Sequence, residues 1–256
     1  MTEIKNQISE SVLPPLPDEI PPAQQKPLKG LRIFVTIGIV YGLGISIIGT
    51  AANPTSENLA LLTSILITGI YTVALYLSRK LWVAHIANEN ASKNAAIIAI
   101  ANAFFIRSIL GFCEQLFQDS AGSNTTISFS NFLVTIPWLV GITLLFIPAQ
   151  KKHRFTWPII ILLSGLYEFI AEGWVNGLLI PFLSGQRFNL LYTWSDLLLF
   201  GFWQFAVLYS SIFLVIGWIF EDLPVPEEEK NAPLWNALKP LIWIIPYSLY
   251  FILLYL

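Results

Sequence analysis

The sequence predicts an all-α, polytopic transmembrane helix bundle of about seven spans. Hydrophobic residues make up 55% of the 256-residue chain and charged residues only 12%, about half the usual globular share. The apolar residues fall in long blocks, and Lys and Arg concentrate in every second connection between them. Mean hydropathy is +0.66. A membrane β-barrel would show short alternating segments instead.

Residues 1–30 stand apart from the rest. The run Leu13-Pro14-Pro15-Leu16-Pro17-Asp18-Glu19-Ile20-Pro21-Pro22 is dense in proline and lacks a helical period. A disordered cytoplasmic tail is expected there, with docking to a protein partner as a secondary use. Residues 31–256 are expected to form the transmembrane domain. Seven apolar blocks follow the tail, at 31–50, 59–78, 95–117, 131–148, 157–181, 197–220 and 238–256. At 1.5 Å per residue most can cross a hydrocarbon layer of about 30 Å. The fourth and seventh are the shortest, and the seventh carries Pro240 and Pro246.

Basic residues predict the orientation. Lys26, Lys29 and Arg32 lie at or before the start of the first block, and Arg79, Lys80 and Lys93 lie between the second and third. Lys151, Lys152 and Arg154 lie between the fourth and fifth, and Lys230 and Lys239 near the start of the seventh. On the opposite side Arg187 stands alone. This alternation predicts a cytoplasmic N-terminus and an extracytoplasmic C-terminus, in the plasma (inner) membrane. The seventh block has no lysine in its apolar core for a retinal Schiff base, and opsin-type topology runs the other way.

Composition excludes several function classes. A formal net charge of −2 gives no basic footprint for nucleic acid. Cys113 is the only cysteine, so no intrachain disulfide, thiolate cluster or dithiol chemistry is expected. His85 and His153 are the only histidines, and an exposed polar face explains His85 and Glu89 better than a metal does. No cofactor is expected. Asn124-Thr125-Thr126 matches a glycosylation acceptor in an outer connection.

Polar residues inside the apolar blocks carry the functional signal. Ser164, Glu168, Glu172 and Asn176 form one helical stripe in the fifth block. A carboxylate at the centre of a bilayer costs roughly 2.5–3.5 kcal/mol, so two of them demand partners or a use. Glu168 lies about 16 Å and Glu172 about 22 Å from the cytoplasmic end of their helix, with Arg107 about 18 Å up the third. Arg107, Gly111, Glu114 and Gln118 form a second stripe, and Gln204 on the sixth block matches Glu172 in height. A polar cavity between the third, fifth and sixth helices is expected, open to the extracytoplasmic side. Arg107 is expected to pair with Glu168 or Glu172, leaving the other as a proton-coupling group.

Trp174 flanks Glu172 and Trp203 adjoins Gln204, so both are candidates for the cavity wall. Trp157, Trp194 and Trp235 fit interfacial anchors. Gly38-x-x-x-Gly42 with Ser46, and Gly173-x-x-x-Gly177, predict close helix packing.

The partners expected are the lipid bilayer and a small polar or amphipathic ligand. Binding or transport of that ligand is the leading function. A lipid- or isoprenoid-modifying enzyme using a glutamate as general acid is the alternative. An accessory subunit of a larger membrane complex is a third. The paired-glutamate and histidine motifs of intramembrane CAAX-type proteases and the aspartate-rich motifs of membrane prenyltransferases are absent.

Overall fold

The computed structural model describes residues 29–86, 90–117, 125–187, 194–221 and 234–255, with the backbone alone at 125–131 and 234. The proline-rich run, Glu89, Gln118, Asn124 and the acidic stretch 222–229 lie outside the described residues. Among those described there is no strand. Among the described residues seven helices are long and apolar enough to cross a membrane, which makes this an integral, multi-pass membrane protein. They are Lys29–Ala52, Ser56–Ile86, Ala91–Phe117, Phe132–His153, Trp157–Ser184, Trp194–Glu221 and Trp235–Tyr255.

Most spans run past their apolar blocks, because polar helix ends continue the backbone ladder beyond the hydrocarbon. The second, for example, extends through Arg79, Lys80 and His85. Thr55 starts it by accepting a hydrogen bond at Oγ1 from the Asn58 amide, 3.2 Å away, as an N-cap residue does. The fourth helix begins at Thr125 and carries Pro137 and Pro148 in its interior. Proline is tolerated in a membrane helix where neighbours re-satisfy the freed carbonyls. Here Pro137 frees the Leu133 carbonyl, which accepts from Tyr250 Oη at 2.9 Å. The seventh span opens as a 3₁₀ helix over Leu234–Trp243, which contains Pro240, and becomes α-helical over Ile244–Tyr255.

The sixth span is the axis of the bundle. Every residue from Ala206 to Phe220 is buried, which requires neighbours on all sides and explains a sequence apolar all round. The first five spans all pack against it, the fifth most extensively, whereas the seventh packs chiefly on the fourth. The first, second and seventh spans keep large apolar side chains outward, among them Ile37, Ile48, Ile70, Leu77 and Leu253. In a bilayer that is the lipid-facing surface. At one end Arg79 Nη1 meets Glu221 Oε2 at 2.9 Å, and Arg154 donates to the Phe220 carbonyl.

Several tryptophans seat against glycines. A Cβ on Gly38 would stand 2.2 Å from the Trp203 ring, and one on Gly42 would stand 2.8 Å from Trp203 Cβ and 3.0 Å from its backbone carbon. On Gly141 it would stand 1.9 Å from Trp243, and on Gly173 3.0 Å from Trp194. The small-residue stripe of the first helix thus gives close contact with the sixth span. Gln204 Nε2 donates to Ser46 Oγ at 2.9 Å in the same seam.

The position of that seam predicts the effect of enlarging it. Gly42→Val is expected to lower the thermal midpoint of the purified protein, at a cost of about 1–3 kcal/mol for overpacking. Gly44→Val on the same helix has nothing within 4 Å of the new Cβ and is expected to stay within about 0.5 kcal/mol of wild type. Equal shifts for the two variants, measured by thermal unfolding in detergent, would count against this packing.

Candidate functional site

A cavity of about 270 Å³ lies in one half of the bundle, where the third, fifth and seventh spans end and the fourth begins. Arg107 and Glu114 reach it from the third span, and Glu168, Glu172 and Asn176 from the fifth. Thr135 and Trp138 of the fourth span, Tyr209 of the sixth, and Tyr247, Phe251 and Tyr255 of the seventh complete the wall. Asn176, Ile180 and Tyr255 are exposed and form its mouth. Arg107 and Glu168, each 2% exposed, lie deepest among the charged groups.

The fifth span places its polar stripe by a local distortion. Its α-helix gives way to a π-helical turn over Val175–Leu179. Pro181 has no amide hydrogen for the Gly177 carbonyl, and its ring crowds that oxygen, so the turn before it widens. The Ile180 amide bonds back five residues to the Val175 carbonyl. The lining stripe of Glu168, Glu172 and Asn176 therefore continues at Ile180 rather than at Leu179. A second π turn, Leu197–Gly201, precedes the buried run of the sixth span. Such bulges occur often at functional sites.

Each acidic group has a defined setting. Trp138, itself 1% exposed, donates from Nε1 to Glu168 Oε1 at 3.1 Å. Asn176 Nδ2 donates to Glu172 Oε2 at 2.6 Å, one turn along the helix. Glu168 and Glu172 repel one another, and Arg107 attracts Glu172. The ion pair of Arg107 is with Glu114, Nη1 to Oε1 at 3.3 Å. That differs from the expected pairing with Glu168 or Glu172. Arg107 and Glu114 stand two turns apart on one face of the third span, and Gly111 between them has no side chain to intervene. The guanidinium Nε of Arg107 is buried without a hydrogen-bond partner.

The structure brings together five of the eight residues singled out from the sequence: Arg107, Glu114, Glu168, Glu172 and Asn176. The other three are placed elsewhere. Gln204 faces Ser46 on the first span, and Trp203 fills the space above Gly38 and Gly42. Trp174 Nε1 donates to Ser248 Oγ of the seventh span at 2.9 Å. Equal height in the bilayer says nothing about which face of a helix a residue occupies, and Gln204 and Trp203 turn toward the first span. The cavity also extends beyond the expected three helices to the fourth and seventh. Trp138, Tyr209 and Tyr247 were not legible as site residues, because an aromatic in an apolar block looks like packing until its neighbours are known.

No protein-family model matches this chain, and no curated protein or solved structure shows significant similarity to it. The functional reading therefore rests on the cavity itself.

The Trp138–Glu168 contact predicts a coupling that double-mutant analysis can measure. Trp138→Phe keeps most of the ring packing but leaves a buried carboxyl oxygen without its donor, at an expected cost of about 1–3 kcal/mol. In a Glu168→Leu background the same change is expected to cost less. Additive thermal shifts for the two substitutions would remove the hydrogen bond from the account.

Proposed function

We propose that this protein binds a small polar or amphipathic ligand in the cavity between its third to seventh spans and carries it across the bilayer. The observation that supports this most is an open cavity of about 270 Å³ within membrane-spanning helices, lined by one guanidinium and three carboxylates. Groups of this kind are costly in a bilayer and mark ligand or ion pathways by default. A bundle that needed only helix-to-helix locking would close over an Arg–Glu pair, leaving no space beside it. The volume, just under the usual range for small-molecule pockets, suits a ligand of metabolite size. Glu168 and Glu172, adjacent on one helix face, are the groups to exchange a proton with the passage of ligand.

The distribution of Lys and Arg supports an extracytoplasmic mouth. We assign a gating role to the seventh span, which docks on the fourth rather than on the central helix. Trp174 to Ser248, Tyr167 Oη to the Ala237 carbonyl at 2.6 Å, and Tyr250 Oη to the Leu133 carbonyl at 2.9 Å are side-chain links that tie it down. Such links can be remade without breaking a helix.

Thiol accessibility tests both the opening and its direction. In a Cys113→Ser background, Asn176→Cys at the mouth and Ala171→Cys in the wall are expected to react with a membrane-impermeant maleimide added to the extracytoplasmic face of intact cells. Ala171→Cys, at a buried position, should react more slowly. Labelling only from the cytoplasmic face would reverse the orientation. An Ala171→Cys that stays unreactive from both faces, in a folded protein, would overturn the reading of an open binding cavity.

A further inference from the structure

The charge balance of the cavity narrows the ligand. Among the described residues that line it, Arg107 is the one cation, set against Glu114, Glu168 and Glu172. Arg107 is already engaged with Glu114. Arg187, in the connection between the fifth and sixth spans, is not among the lining residues. Carboxyl groups therefore outnumber the cation three to one in the lining, so ionisation of Glu168 or Glu172 would balance a cationic ligand, whereas an anionic ligand would meet like charge.

The walls point the same way. Trp138 and Tyr247 pack ring to ring, centroids 5.2 Å apart, and both line the cavity together with Tyr209. Aromatic faces beside carboxylates, away from bulk water, attract a cation with apolar substituents better than a strongly hydrated one. A further feature completes the pattern. Arg107 lines the same space, and the side-chain partner its guanidinium has there is Glu114, at Nη1. A guanidinium has five N–H donors, and one with donors to spare at a cavity favours a ligand that supplies an oxygen.

We propose that the ligand of this cavity is an organic ammonium ion carrying an oxygen acceptor close to its charge, held between Glu168, Glu172 and the aromatic wall with its oxygen toward Arg107. The proposal rests on the binding function above and specifies its chemistry. A free amine and an ammonium-bearing lipid headgroup share these features.

Three probes applied to the intact purified protein test it by calorimetry. Choline has both features, 3,3-dimethylbutan-1-ol is its uncharged isostere, and tetramethylammonium lacks the oxygen. Choline is expected to bind at least about tenfold more tightly than the alcohol, and several-fold more tightly than tetramethylammonium. Glu172→Gln should narrow the choline-to-alcohol ratio. Because that ratio is an internal comparison, it does not depend on how much protein folds. Equal affinity for choline and the alcohol would overturn the proposal while leaving a ligand-binding cavity in place. No choline binding at millimolar concentration would also overturn it, and labelling of Ala171→Cys would then show whether the binding cavity itself survives. Choline binding in phosphatidylglycerol nanodiscs but not in phosphatidylcholine nanodiscs would support the proposal with a lipid headgroup as occupant. Binding in both would support it with a free amine.

Discussion

From Ala206 to Phe220 the sixth span turns no face to lipid, and the rest of the bundle is arranged around that enclosure. Five helices must pack against one. They do so without the aqueous hydrophobic effect to drive them, because lipid is as apolar as the helix surfaces it would cover. Close approach has to supply the attraction instead. The glycines of the first span and the tryptophan they receive from the sixth show how. Gly38 and Gly42 remove the side chains that would hold the helices apart, and Trp203 fills the groove left behind. Several hydroxyl groups in the seams are satisfied locally, although Thr143 and Ser211 are buried without a partner. Ser46 Oγ donates to the Gly42 carbonyl, and Ser64 Oγ to the Ala60 carbonyl.

The cavity exists where this packing is incomplete. The seventh span docks on the fourth rather than on the central helix, so a space remains between it and the third, fifth and sixth. Into that space the fifth span delivers two carboxylates and the third delivers a guanidinium. Depth separates their roles. Glu168 is enclosed and held by Trp138, whereas Glu172 is only partly buried and held by an exposed Asn176. The π turn after Trp174 keeps the polar stripe facing the space as far as the mouth. This polar path, deep at one end and open at the other, is the geometry on which the binding proposal rests.

Much of the site was legible because the bilayer makes polar residues conspicuous. Glu168, Glu172, Arg107 and Glu114 stand out against apolar neighbours, and helical spacing alone grouped them into two stripes. The pairing of Arg107 was not legible. A long side chain can reach along its own helix as readily as across to another, and only packing decides which. Trp138, Tyr209 and Tyr247 gave no signal, since aromatic residues are common in every span. Gln204 gave a misleading one, because counting residues fixes height but not the direction in which a side chain points.

By itself the sequence determined the class of molecule, the number of spans and the level at which polar groups collect. Those follow from hydropathy and from a rise of 1.5 Å per residue, which act along one chain segment at a time. Which faces meet was decided only by tertiary structure. That holds for Trp203 entering the Gly38–Gly42 groove, for Trp138 reaching Glu168, and for the seventh span closing one side of a cavity it does not fill. Each depends on the rotation of one helix against another. Steric fit between side chains far apart in the chain sets that rotation, and no local pattern encodes it.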